Sequence, residues 1–299
     1  MAPTTQAESP AKQDSRLNSA NPPPDPNRPL PDIPTLMHQV EADQRASEAI
    51  EKDYLYHSVE AIQELDPHGS VKRTETDQYD VFWINGVPVR RLLKKNGKDL
   101  SESEKKQEDE HIDKESAKAR ERRDKAASQG KETDPRGEDV VTVSRLLELG
   151  SFSNAHRVQW HGRDTIVVDY AGDPKAKTRN SFENVIRDLV GTIWVDEQAH
   201  AIAKLEGHFV NNFKVGGGLL VNIQKGLTFS MEQVRINDEV WLPAHIEGHG
   251  SARALLFFRF NGEMVVENSN YRKFKTDSTI VSAGTPVPAE PTKPPGTPQ

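Results

Sequence analysis

The chain has 299 residues, with 39 Lys and Arg against 46 Asp and Glu, a formal net charge of −7 and no cysteine. That acidic balance argues against general affinity for nucleic acid or for anionic lipid surfaces. The lack of cysteine excludes disulfides, thiolate metal sites, cysteine nucleophiles and a lipidated N-terminal cysteine, and no run approaches the roughly 20 apolar residues of a membrane span.

Residues 1–34 hold nine of the 20 prolines, including Pro22-Pro23-Pro24, and almost nothing to bury. They read as a disordered, partly polyproline-like tail. No basic-then-apolar signal segment precedes it. A leader rich in Pro, Ser, Ala and Thr is common in exported chains after processing. The expected location is therefore the periplasm or cell envelope, with the cytoplasm as the alternative. Residues 35–276 read as one domain, long enough for a real core, and residues 277–299 read as a second Pro-rich disordered tail.

Within the domain, residues 35–52 carry a helical stripe of Leu36, Met37, Val40, Ala46, Ala49 and Ile50 after Pro34. Apolar runs at 80–84 and 87–93 flank Asn85-Gly86, residues that both tolerate the positive φ of a type I′ turn. A charged insertion follows at 101–137, where 17 of the 24 residues from 102 to 125 are Asp, Glu, Lys or Arg. Ser101 and Glu104 form a capping-box signature at its start. A helix without an apolar stripe has nothing to dock, so this one is expected to be solvated and dispensable for folding.

A third helix is expected over 140–149, with Gly150 as its C-terminal cap, and a short fourth one over 182–189. Further hairpins are expected around His161-Gly162, between 192–195 and 201–206, around Asn237-Asp238 and around Asn261-Gly262. Consecutive hairpins with short turns give an antiparallel meander, so the fold class is mainly β with helices. The strands near 192–195 and 255–260 lack clean apolar–polar alternation, as if both faces were covered. A curved sheet wrapped round a helix meets that need, and so does a two-layer core with a covering helix.

Several segments together carry a family likeness: Tyr54-Leu-Tyr56, the hairpin through Asn85-Gly86, Asn96-Gly97-Lys98-Asp99-Leu100-Ser101, Gly191-Thr-Ile-Trp-Val-Asp196 and Val240-Trp-Leu-Pro243. Over roughly residues 35–275 the chain resembles bacterial envelope proteins of the outer-membrane lipoprotein-sorting and carrier superfamily. These are turn and strand signatures, without a catalytic fingerprint. The resemblance implies an unclosed antiparallel barrel, helices plugging its open side and an apolar cavity for acyl chains. The charged insertion and the Pro-rich tails depart from the carriers.

The expected function is a noncatalytic envelope protein that takes an apolar small molecule, such as a lipid, or a lipidated protein or peptide. It would use no cofactor and could lie peripheral to a membrane. Trp194, Phe209, Phe229, Met231, Leu255 and Phe257 are the candidate ligand-binding residues, adaptable apolar side chains on barrel strands that could equally be core. One alternative is a structural or partner-binding module whose cavity is simply a filled core. Another is a metal-dependent enzyme using His245, Glu247 and His249, which a strand would project from one face. His-Ile-Glu-Gly-His is not the helical metalloprotease motif, and Gly216-Gly217-Gly218 lacks the context of a phosphate loop.

Overall fold

A computed structural model of the protein describes residues 28–66, 68–131, 133–137, 141–215, 221–254 and 258–274. The run Gly216-Gly217-Gly218, the candidates Leu255 and Phe257 and most of both tails lie outside the described residues.

Thirteen strands are described: β1 Tyr54–Leu65, β2 Val71–Ile84, β3 Val87–Lys95, β4 Lys98–Asp99, β5 Gly150–Trp160, β6 Arg163–Gly172, β7 Leu189–Asp196, β8 Ala201–Phe209, β9 Phe213–Val215, β10 Val221–Ile223, β11 Thr228–Ile236, β12 Val240–Ala254 and β13 Phe258–Lys273. They form one antiparallel sheet in the order β4-β3-β2-β1-β13-β12-β11-β8-β7-β6-β5, and β10 and β9 extend from the far end of β12. The two edges, β4 and β5, do not pair, so the sheet is an unclosed one.

Most hairpins form where the turn chemistry puts them. Asn85 and Gly86 have φ of 52° and 73°, His161 and Gly162 50° and 76°, and Asn237 and Asp238 51° and 58°. Such left-handed pairs match the twist of the flanking strands. Asn261-Gly262 does not make a turn. Both residues lie inside β13, opposite Ser251 and Gly250. Glycine is required at 262 for a different reason, because a Cβ there would sit 1.8 Å from the Gln63 carbonyl of β1.

Four helices accompany the sheet: α1 Ile33–Glu51, α2 Glu102–Ser128, α3 Val143–Leu149 and α4 Ser181–Arg187. Asp32 caps α1 by accepting from Thr35 N, and the Ser101–Glu104 capping box starts α2. Gly150 follows α3 but is no left-handed cap, since its backbone is already extended. A Cβ there would fall 2.6 Å from the Tyr170 ring, so close packing demands the glycine.

Leu36, Met37 and Val40 of α1 and Val143 of α3 pack against Ile166 and Val195 on one face of the sheet. The opposite face is covered at β2 and β3 by α2, contrary to the expectation of a solvated helix. Ile112 and Ala119 are buried there with Phe82, Val87 and Val89. Ile112, Ser116 and Ala119, the three buried residues of α2, recur at spacings of four and three, a stripe one residue wide that suffices because two of its members are small. On β7, Ile193 and Val195 face the helices α1 and α3, while Trp194 on the other face packs beside Trp160.

The chain is anchored from Arg28 onward, before the first helix. Arg28 pairs with Asp164 and Glu197, and Arg157 donates to the carbonyls of Arg28 and Pro29 at 2.8 and 2.9 Å.

Candidate functional site

Two spaces border the middle of the sheet, one on each face. The larger, a trough of about 970 Å³, is lined by β6, β7, β8, β11, β12 and β13 and edged by Ser153 of β5. Strands so far apart can border one volume only if the sheet bends around it. Register sets Lys204 of β8 against Glu232, Glu232 against His245, and His245 against Glu267 along this face.

His245 has Nε2 2.9 Å from Glu247 and Nδ1 2.7 Å from Glu267. The Glu247 carboxylate, working against partial burial and helped by Glu267, holds the imidazole above its usual 6.5. His249 sits 3.3 Å from Glu263. The histidines and Glu247 do share a face, yet both histidines are engaged by carboxylates. Among the described residues, no three His, Asp or Glu side chains form a group able to hold a metal ion.

Lys204 lies 3.3 Å from both Glu206 and Glu232 and over the rings of Trp160 and Trp194, 5.3 and 5.1 Å from their centroids. Burial opposes its charge, but the two carboxylates prevail and raise its pKa. A wall of paired charges suits water and polar groups and disfavours an acyl chain.

The second space, about 440 Å³, lies between α1 and the other face of β8, β11 and β12. Val40, Ala46 and Ile50 line it from the helix, and Ile202, Leu205, Met231 and Trp241 from the sheet. Its origin is local. The first half of α1 buries Leu36, Met37 and Val40 against the sheet. At 46 and 47 the lining residues are only Ala and Ser, too small to fill the gap below. Ile50 then packs with Tyr54, Val240 and Leu242 and closes the end.

Charged groups ring this cavity. Asp43 of α1 meets His200 of the β7–β8 turn at 2.9 Å. Glu239 accepts from Lys273 at 2.6 Å and from the Tyr54 hydroxyl. Arg235 donates to the Asp238 carbonyl at 2.6 Å. Burial, reinforced by the neighbouring Glu48 charge, pushes the Glu51 carboxyl from its usual 4.5 up to about 7. The Trp241 indole nitrogen is enclosed and has no hydrogen-bond partner.

The candidate residues are therefore divided. Met231 lines the cavity beneath α1. The Phe209 and Phe229 rings pack on each other at 6.1 Å, and Phe229 also borders the trough. Trp194 belongs to the trough face, beside Trp160 at 6.4 Å. Sequence reasoning missed Trp241, Leu205, Ile202 and the helix residues Ala46, Ile50 and Glu51. The signal available was the pair of small residues in an otherwise apolar helical stripe.

No protein-family model matches the chain, and no curated protein does. Among solved structures, it is similar to a domain described as that of an outer membrane lipoprotein-sorting protein from Vibrio parahaemolyticus, at 11% identity over 83% of this chain and 95% of that one, with a TM-score of 0.35. It is also similar to a DUF1329 family protein from Desulfovibrio piger, at 10% identity over 85% of this chain and 96% of that one, with a TM-score of 0.32. The topology described above stands on this chain's own strand register.

Proposed function

We propose that the protein is a noncatalytic component of the cell envelope that binds an apolar ligand, a lipid or the acyl portion of a lipidated peptide. The binding site is the cavity beneath α1, with Met231, Leu205, Ile202 and Trp241 as its floor and Ala46 and Ile50 as its roof. One observation carries this reading: α1 covers a space of about 440 Å³ to which Val40, Ile50, Ile202, Leu205, Met231 and Trp241 bring apolar surface, beside a rim of charged groups. That volume is in the range of small-molecule pockets, and apolar walls reward a ligand for the water it leaves. The polar trough on the other face offers no such reward. The likeness of the turn and strand sequences to envelope carriers supports the location.

The test is mass spectrometry of the purified protein under native and then denaturing conditions. Copurified acyl species support binding. Ala46→Phe should displace them, because residue 46 lines the cavity and a phenyl ring there would occupy it without adding a polar group. Fractionation of the producing cells tests the location, and recovery in the cytoplasm alone would refute it.

A further inference from the structure

We infer that the cavity beneath α1 takes an alkyl or acyl chain that carries a cationic amine, and that the Glu51 carboxylate is the group that pairs with it. This inference deepens the proposed function and rests on it. Among the described residues, five ionisable side chains line the cavity: Asp43, Glu51, His200, Arg235 and Glu239. Four of them are engaged within the protein. Asp43 meets His200, Glu239 serves Tyr54 and Lys273, and Arg235 donates to the Asp238 carbonyl. Glu51 has no hydrogen bond or ion pair among the described residues. Gln44, Ser47 and Gln233 also line the space, but such neutral groups can hydrogen-bond a ligand without neutralising a charge.

Glu51 stands four residues after Ser47 and seven after Gln44, so it continues the stripe of α1 that borders the cavity. It is half-buried, and neither of its carboxylate oxygens is enclosed. The charges around it do not compensate it. Glu48 is a second anion, and Lys52 has only a minor effect, its ammonium lying 5.9 Å from the centre of the Trp83 ring. The Tyr56 phenol of β1, close enough to feel the Glu51 charge, is pushed up to about 12, chiefly by burial, and stays neutral. Burial and Glu48 together raise the Glu51 carboxyl to about 7. An alkylammonium would lay its chain on Ile202, Leu205 and Met231 and bring to Glu51 the opposite charge and the N–H donors that the protein does not supply. Pairing favours the ionised carboxyl, so Glu51 releases its proton to solvent as the amine, already protonated, binds.

Calorimetric titration of the full chain with dodecylamine, dodecanol and dodecanoic acid at pH 5.5 and pH 8 tests the pairing. We expect the amine to bind at least about ten-fold tighter than the alcohol at pH 8, with the acid weakest, and the advantage of the amine to shrink at pH 5.5, where Glu51 is protonated. At pH 7 binding of the amine should release up to about half a proton, read from the dependence of the heat on the buffer's ionisation enthalpy. This readout uses the wild-type protein. Glu51→Gln should abolish both the proton release and the advantage of the amine. Glu48→Gln, which removes the same charge from a helix position that does not line the cavity, should retain the advantage. Equal losses in the two variants, or an amine no tighter than the alcohol, would overturn the inference and leave apolar binding intact. If no probe binds at all, the proposed function falls, and this inference falls with it.

Discussion

Glu108 of α2 accepts a hydrogen bond from the backbone N–H of Leu92 in β3, at 2.9 Å. Beyond β3 the sheet continues only as the two-residue β4, so this bond occupies an amide that another chain could otherwise pair with. Arg123, further along the helix, donates to the Gly86 carbonyl at 2.8 Å in the β2–β3 turn. The charged helix is thus a cover for a sheet edge, fixed by a few buried groups and a row of polar ones.

Replacing residues 102–130 by a Gly/Ser linker should therefore destabilise the protein and expose Phe82, Val87 and Val89. Ile112→Ala alone should cost about 2 kcal/mol, since the side chain is buried on one side of a narrow contact. Urea unfolding with light scattering checks both. A linker variant that stays monomeric with an unchanged midpoint would refute the covering role.

Glu51 predicts an unusual pH dependence. Its folded-state pKa, about 7, lies above its usual 4.5, so folding binds a proton. Stability from this group is greatest below pH 4.5 and declines as pH rises through about 7. Glu51→Gln should stabilise the protein at pH 8 by about 2 kcal/mol and change little at pH 4. Chemical denaturation at the two pH values measures the difference.

Glu183 has the opposite sign. Arg145, bonded to it through Nε at 2.7 Å and NH2 at 2.8 Å, holds its carboxyl down at about 2. The depressed value means that its contribution is present above pH 4.5 and is lost as pH falls toward 2. Glu183→Gln should lower the melting temperature at pH 7 and flatten the acid limb of the stability profile. A steep acid limb retained in the variant would assign acid unfolding to other carboxylates.

Gly262→Ala should be among the most damaging single changes in the sheet. Its methyl would meet the Gln63 carbonyl at 1.8 Å, and backbone cannot move aside as a side chain can. A loss of more than about 3 kcal/mol is expected. A near-normal unfolding midpoint would show that β1 and β13 can separate locally.

Truncation maps the N-terminal anchor. Removing residues 1–27 should leave the melting temperature almost unchanged, whereas removing residues 1–32 should lower it. The second cut deletes the Arg28 ion pairs with Asp164 and Glu197 and the Asp32 cap of α1. Equal melting temperatures for the two truncations would mean that the anchor contributes nothing.

Much of the sheet was legible because its turns use residues with few alternatives. Asn85-Gly86, His161-Gly162 and Asn237-Asp238 all adopt left-handed backbone, which most side chains resist. Asn261-Gly262 carries the same signature for a reason only the fold supplies, the approach of β1 to within touching distance of residue 262. The docking of α2 was missed because its stripe consists of Ile112 and two small residues among charges. The site was legible only in part. Met231 could be picked out as an adaptable apolar residue, but strand alternation says which residues share a face and not which face α1 covers. For that reason Trp194 was grouped with Met231, although register separates them.

The pairing of β1 with β13 also bears on how the molecule is made. In the β1–β13 ladder Tyr54 stands opposite Lys273, and among the described strands the first four reach the rest of the sheet through β13. During synthesis the N-terminal meander therefore emerges early and waits, with one flank of β1 open, until the last described strand is translated. Completing the sheet requires β13 to pair with β1, a long-range contact of the kind that forms slowly. Until then the nascent chain presents two incomplete sheets, which a chaperone or an export machine could hold apart and which an early stop codon would never allow to join.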